Sequence, residues 1–220
     1  PQPYRLLFTL LRETGMRAGE VVALVLGDIS LAAGREGVRI RDPKNGTERV
    51  VDTGRVPCDI ELGSNPEYQS VHVRFEYQSL VTPRSVFEED VHTGDRQLLK
   101  QTPVPGVDLT EYETERTWAT APDGARVPID VVWRRGVPRD ATAPALLYGY
   151  GSYEISMPPW FAVSRFSLLD RGWIWAVVHP RGGGELGRRW YLDGKLLKKR
   201  TTFTDFIAAA EHLVAERRAA

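Results

Sequence analysis

The chain has 220 residues with 29 basic and 29 acidic side chains, so its net charge is zero and bulk electrostatics predicts neither nucleic acid nor an anionic membrane as a partner. With 42% hydrophobic and 26% charged residues, the composition is that of a soluble globular protein, either one large domain or two small ones. Cys58 is the only cysteine, which rules out an internal disulfide framework and fits a cytoplasmic location, although a secreted protein without disulfides would share the trait. No apolar run approaches the ~20 residues of a membrane span. The run Leu6 to Leu10 leads into Arg12 and Glu13 instead of a cleavage site, so no signal peptide is read. The chain starts at Pro1 rather than methionine, and a missing N-terminal end is expected.

In chain order, the first segment with periodicity runs from Tyr4 to Leu26. Leu6, Leu7, Leu10 and Leu11, then Val21, Val22, Leu24 and Val25, recur at helical spacing around Thr14-Gly15, predicting two helices. Gly37 to Ile40 and Glu48 to Val51 flank Asp42-Pro43-Lys44-Asn45-Gly46, a turn composition that predicts a β-hairpin. Between Val56 and Ser64 the pattern stops at Pro57, Gly63 and Asn65-Pro66, and a domain or fusion boundary is expected. Val71 to Tyr77 and Ser85 to Val91 then alternate apolar and polar residues. With the turn His92-Thr93-Gly94-Asp95 and the run Gln97 to Lys100, they predict a three-stranded antiparallel meander.

Thr117 to Thr120 and Val127 to Trp133 flank Ala121-Pro122-Asp123-Gly124, a second hairpin signal. Ala145 to Tyr148 and Trp173 to Val178 are continuous apolar runs, as expected for strands covered on both faces. Phe203 to Val214 predicts an amphipathic helix, with Phe203, Phe206, Ile207, Ala210 and Leu213 on its apolar stripe. The expected fold class is mixed α/β. By position the divisions are residues 1–56, 59–116 and 117–220.

Tyr148-Gly149-Tyr150-Gly151 follows the first of the two apolar strands of the last part. Glycines let a backbone turn sharply, and a tyrosine hydroxyl can donate a hydrogen bond as an amide does. From spacing alone, packing of both tyrosines at a strand end is the more ordinary reading. Arg181-Gly182-Gly183-Gly184-Glu185 invites a phosphate-loop reading but lacks the Gly-Lys-Ser/Thr ending of such loops. His179 and His212 are read as structural or exposed. No metal-ligating pattern is recognised.

Together Leu146 to Met157 and Val177 to Lys195 resemble the opening of the catalytic domain of the prolyl oligopeptidase family of serine peptidases, in its oligopeptidase B branch. The resemblance covers about 160 of the 220 residues. It implies that 59–116 is the last blade of a β-propeller-like domain and that 117–220 is the N-terminal part of an α/β-hydrolase domain. It further implies that Tyr150 is an oxyanion-hole donor, that Tyr153 lines the substrate pocket, and that short peptides are cut after basic residues without metal or organic cofactor. Pro180 departs from the β-branched residue usual in the family. The family's catalytic serine, in a Gly-x-Ser-x-Gly-Gly turn, and its Asp and His lie beyond Ala220, so the isolated chain is expected to be inactive.

Thr14-Gly15-Met16-Arg17-Ala18-Gly19-Glu20, with Leu24 and Asp28-Ile29, is similar to the first conserved box of tyrosine recombinases, the phage integrases. That resemblance implies a helix–helix–β-hairpin fragment in which Arg17 binds the scissile phosphate, a task suited to a guanidinium, and hairpin Lys44 acts as general acid. Residues 1–58 hold nine basic and seven acidic side chains, too small a surplus for strong counterion release on DNA. The alternatives to the peptidase reading are thus a recombinase-derived DNA-binding fragment and a chimeric reading frame, joined near Val56 to Asp59, with no activity of its own.

Overall fold

The computed structural model describes residues 56–65, 71–90, 92–138 and 140–216, together with backbone strands within 29–50. The chain divides into two compact units. Unit 1 comprises Pro1–Gln78 and Pro83–Pro103, and unit 2 comprises Ser79–Thr82 and Val104–Ala220.

Unit 1 contains two antiparallel arrangements. In the first, β1 (Ile29–Ser30), β2 (Gly37–Arg41) and β3 (Glu48–Val50) lie in sequence order, with Ile40 opposite Arg49 in the predicted hairpin. The two expected N-terminal helices and the hairpin turn lie outside the described residues. The second sheet orders β4 (Cys58–Leu62), β5 (His72–Ser79), β6 (Ser85–Asp90) and β7 (Arg96–Gln101) side by side. The meander therefore has a strand more than predicted. Cys58, Ile60 and Leu62 alternate with Asp59 and Glu61, and Pro57 and Gly63 bound the strand instead of interrupting it. Gly63 donates its amide to the Arg74 carbonyl (2.9 Å), and the Asn65 side chain continues the ladder by accepting from the Arg74 amide (2.7 Å).

Cross-strand pairs hold the register of this sheet. Phe75 faces Phe87 with ring centroids 5.7 Å apart, and Arg74 faces Glu88 with an ion pair of 2.7 Å. The Glu89 carboxylate is buried against Arg96 at 2.6 Å, and that guanidinium lies 5.2 Å from the Phe75 ring. The β6–β7 turn closes where Asp90 accepts from the amides of His92 (2.7 Å) and Thr93 (3.0 Å), and Gly94 takes a φ of 81°.

Unit 2 is a four-stranded mixed sheet in the order β10-β11-β9-β8, with helices on both faces. β8 (Tyr112–Thr120) and β9 (Arg126–Arg134) form the predicted hairpin, extended so that β8 starts five residues ahead of Thr117. β9 is antiparallel to β11 (Ile174–Val178), and β11 is parallel to β10 (Ala145–Gly149). Because side chains alternate along a strand, β9 and β11 each supply both layers of the core. Val127, Ile129, Val131, Ile174, Ala176 and Val178 pack against α3 (Arg200–Ala215). Val132 and Val177 pack on the opposite face with Phe166 and Leu169 of α1 (Val163–Leu169). The short α2 (Arg188–Leu192) lies between β11 and α3 in sequence.

Two expectations are corrected. β11 is largely buried, but β10 is the edge strand of the described sheet and is half-buried, with its own Tyr148 exposed; the apolar run alone could not tell an edge from a centre. On α3 the buried positions are Thr202, Asp205, Ala208, Ala209 and Leu213, whereas Phe203 (61% exposed) and Ile207 (56%) face outward. The helix is rotated from the predicted stripe because Thr202 and Asp205 are consumed by hydrogen bonds at the end of the sheet. Arg165 of α1 is also buried, held by the carbonyls of Trp160 (3.1 Å) and Leu80 (3.4 Å) and lying over the Trp175 ring, and desolvation lowers its pKa to about 10. Among the described residues no helix is long and apolar enough to cross a membrane.

The rotation of α3 is checked by truncation in urea unfolding. Leu213→Ala is expected to cost about 2–5 kcal/mol, and Phe203→Ala and Ile207→Ala each less than about 1 kcal/mol. The reverse order would place the helix on the stripe read from sequence.

Candidate active site

β10 and β11 run parallel with Gly149 opposite Val178, so the chain segments that follow them leave the sheet at the same end. These segments are Tyr150 to Met157 and His179 to Glu185, the two motifs singled out in the sequence.

The backbones meet there too closely for side chains. A Cβ on Gly182 would lie 2.2 Å from the Gly151 carbonyl oxygen, and one on Gly194 would lie 2.2 Å from the Gly182 nitrogen. At Gly151, with φ +67°, a Cβ would meet Thr202 Cγ2 at 2.6 Å and Pro180 Cγ at 2.7 Å. Pro180, the departure from the family pattern, thus packs directly on this glycine. The Gly182 amide donates to the Trp190 carbonyl (3.0 Å) and the Gly183 amide to the Pro180 carbonyl (3.3 Å). With these amides consumed internally, the glycine run serves packing and is a poor anion cradle.

Charged side chains brace the junction. The Arg181 guanidinium donates to Asp205 from Nε (2.8 Å) and Nη2 (2.5 Å), and to Asp123 of the β8–β9 turn from Nη1 (2.5 Å). Its own backbone amide also donates to Asp205 (2.9 Å). Asp205, first among the partners, and then Asp123 hold the guanidinium well above its usual pKa against the opposing cost of burial. Thr202 Oγ1 donates to the Arg181 carbonyl at 2.5 Å.

A second charged row crosses the sheet. Arg116 on β8 makes a two-pronged pair with Asp130 on β9, at 2.6 and 2.8 Å, and Asp130 accepts from His179 Nε2 at 2.8 Å. Asp130 and His179 are both buried. Burial alone would raise the Asp130 carboxyl, but the His179 charge and the Arg116 hydrogen bond carry it below the usual range. Burial likewise opposes the His179 imidazolium, and the Asp130 charge and hydrogen bond overcome it, raising the group to about 9. Glu185 lies 3.6 Å from His179 Nδ1, too far for a direct hydrogen bond, and its Oε1 accepts from the Met157 amide at 3.0 Å. His179 is therefore a buried structural cation. His212 is half-buried on α3 with Nε2 3.0 Å from Thr117 Oγ1.

Tyr150 stands between two glycines at this end of the sheet, 45% exposed, and among the described residues its hydroxyl has no hydrogen-bond partner. Tyr148, by contrast, packs edge-on against Trp160, with ring centroids 5.5 Å apart. Tyr153 is 79% exposed at a φ of 56°, followed by Glu154 at 59°, on a turn pinned by the Glu154 amide to the Gly182 carbonyl (3.1 Å). Two successive left-handed non-glycine residues mark backbone strain that the surrounding contacts hold in place. Lys199 Nζ donates to the Gly151 carbonyl (2.5 Å) and to Ser152 Oγ (2.6 Å).

Sequence reasoning singled out Tyr150, Tyr153 and the glycine run, and the structure brings all three to one end of the sheet. It missed Asp130, Arg116, Asp205, Thr202 and Lys199. The polar residues interrupting the apolar pattern of β9 and α3 were the available signals. Arg17 and Lys44 lie outside the described residues. Among the described residues no group of three or more His, Cys, Asp and Glu side chains is arranged to hold a metal. An open cleft of about 670 Å³ elsewhere in unit 2 is lined by Glu111, Arg134 and Asp170, whose charges pair with one another, and it includes none of the residues above; the chemistry points to the β10–β11 end instead.

Residues 159–220 match the family model described as the prolyl oligopeptidase family. The chain is 46% identical over 173 residues to dipeptidyl aminopeptidase BI of Pseudoxanthomonas mexicana, covering 78% of this chain and 24% of the relative. It is 43% identical over 190 residues to Protease 2 of Moraxella lacunata, covering 85% and 28%. Among solved structures it is similar to oligopeptidase B from Leishmania major, with a TM-score of 0.72 and 38% identity, covering 84% of this chain and 27% of that one. The chain belongs to the prolyl oligopeptidase family over these matched residues and spans about a quarter of the length of the relatives.

The buried charge row makes stability depend on pH. The raised His179 pKa contributes stability fully below about pH 6.5, lost as pH rises through about 9; the lowered Asp130 pKa contributes above about pH 4, lost in acid. Urea titrations of the chain are expected to lose stability on the order of 3 kcal/mol between pH 6.5 and 9, and His179→Asn is expected to flatten that slope. An unchanged slope in the variant would remove His179 from the account.

Proposed function

We propose that the chain is the front part of the catalytic region of a serine peptidase of the oligopeptidase B kind, acting on short peptides after basic residues. The observation that carries this reading is Tyr150: a half-exposed tyrosine with a hydroxyl free of partners, held at the C-terminal ends of parallel strands by the glycine junction. Acyl transfer needs donors aimed where negative charge develops on the attacked carbonyl oxygen, and Tyr150 is the donor this chain contributes. Tyr153, on its strained turn, lines the substrate pocket. Supporting the peptide as substrate, oligopeptidase B from Trypanosoma brucei, 37% identical with a TM-score of 0.73, has been solved with covalently bound antipain.

On this reading, 59–116 holds a blade of a propeller-like domain, its strands β4 to β7, and 117–220 the opening of an α/β-hydrolase sheet whose first strand already starts at Tyr112. The nucleophilic serine, its histidine base and the orienting aspartate come from polypeptide outside these 220 residues, so the chain alone does not turn over peptides. In the assembled site the serine attacks the peptide carbonyl, the histidine accepts its proton, and Tyr150 with a backbone amide stabilises the resulting oxyanion. No metal or organic cofactor takes part.

The test is steady-state kinetics on the peptidase polypeptide carrying this segment, with peptide substrates ending in Arg or Lys. Tyr150→Phe removes one donor and is expected to lower kcat by about 10²–10³-fold with KM changed less than about threefold. A wild-type kcat in the variant overturns the assignment.

A further inference from the structure

The site explains Tyr150 but not why Lys199 is spent where it is. Lys199 directly precedes α3, and its ammonium donates to the Gly151 carbonyl at 2.5 Å and to Ser152 Oγ at 2.6 Å. Among the described residues these partners are neutral oxygens, and no carboxylate pairs with it. Lys198, its neighbour, behaves as a surface lysine does, pairing with Asp193 at 2.7 Å. A lysine that desolvates its charge for two neutral oxygens gives up hydration that an exposed rotamer would keep, and desolvation accordingly lowers its pKa. Its two charge-assisted hydrogen bonds offset that cost, and they fall on the pair of residues directly after Tyr150.

Tyr150 needs such a fixture. It lies between Gly149 and Gly151, and flanking glycines restrain the backbone on either side of a residue less than side-chain-bearing neighbours would. The other side-chain tie to Gly151, from Thr202 Oγ1, is long at 3.4 Å, and that hydroxyl lies much closer to the Arg181 carbonyl at 2.5 Å. The Gly151 carbonyl also packs on Gly182, where a Cβ would meet its oxygen at 2.2 Å, but that contact gives it no hydrogen bond. The Lys199 ammonium gives it one, and by also holding Ser152 it fixes the peptide plane between those two residues.

We propose that Lys199 is a positioning residue for the oxyanion donor: its ammonium locks Gly151 and Ser152 and thereby sets the direction in which the Tyr150 hydroxyl donates. This inference rests on the assignment of Tyr150 above. On this inference Lys199 acts through Gly151 and Ser152, unlike Lys198 of the same run, which pairs with Asp193.

The experiment is a double-mutant cycle in kcat on the peptidase polypeptide carrying this segment, using Lys199→Met, Lys199→Arg, Ser152→Ala and Tyr150→Phe. Lys199→Met is expected to lower kcat about tenfold with KM within about twofold, and to have less than about a twofold effect once Tyr150 is Phe. Lys199→Arg, which keeps a donor of the same charge, is expected to recover at least about a third of the wild-type kcat, and Ser152→Ala to show a smaller loss in the same direction. Hydrogen exchange of the 151–153 amides is expected to quicken at least about tenfold in Lys199→Met. If Lys199→Met fails to fold, Ser152→Ala and Lys199→Arg carry the same cycle. The inference is overturned if Lys199→Met leaves kcat within twofold of wild type, or if its effect is equally large in the Tyr150→Phe background. A Tyr150→Phe enzyme at the wild-type rate marks the separate failure of the Tyr150 assignment and takes this inference with it.

Discussion

Three backbone segments approach within contact distance at Gly151, Gly182 and Gly194, and the arrangement at this end of the unit 2 sheet depends on that approach. None of the three positions accepts a side chain, because the atoms a Cβ would meet are mainly backbone, which cannot rotate away. The glycine junction brings the turn after β10 against the turn after β11, and the strand register then determines which side chains stand beside it. A site built this way is rigid without being covered: Tyr150 and Tyr153 stay exposed while the chain beneath them is packed.

Electrostatics secures what the glycines permit. Arg181 ties the loop to α3 through the buried Asp205 and to the β8–β9 turn through the exposed Asp123, so an arginine, two aspartates and a helix share one network. The Arg116–Asp130–His179 row does the same across the sheet. Buried ion pairs contribute modest net stability, since desolvation offsets most of the attraction, but breaking one leaves a charge stranded. Their effect here is on geometry. They leave few alternative arrangements for the loops that carry the site.

Much of this was legible in the sequence, for identifiable reasons. The β8–β9 hairpin has a Pro-Asp-Gly turn between its strands, and Val71 to Tyr77 and Ser85 to Val91 alternate apolar and polar residues, so local signals agreed with the final fold. β4 was hidden because Pro57 and Gly63 read as breakers although they cap the strand. The rotation of α3 was not legible, since Phe203 and Ile207 are the larger apolar residues while the buried face is led by Thr202 and Asp205, whose partners come from β11 and its loop. The same limit applies to the site. Tyr150 and the glycine run announce themselves by local pattern, whereas Asp130, Arg116 and Lys199 acquire meaning only when register and loop packing bring their partners close.

The central claim is that the end of β10 presents Tyr150 to the developing oxyanion of a peptide carbonyl. The most direct measurement is a crystal structure of the peptidase polypeptide carrying this segment with a peptide boronate ending in Arg, whose tetrahedral adduct reproduces the charged oxygen. The account predicts the Tyr150 hydroxyl at about 2.7–3.1 Å from that oxygen, with Lys199 still on Gly151. An adduct whose oxygen is held by other donors, with Tyr150 turned to solvent, would contradict it.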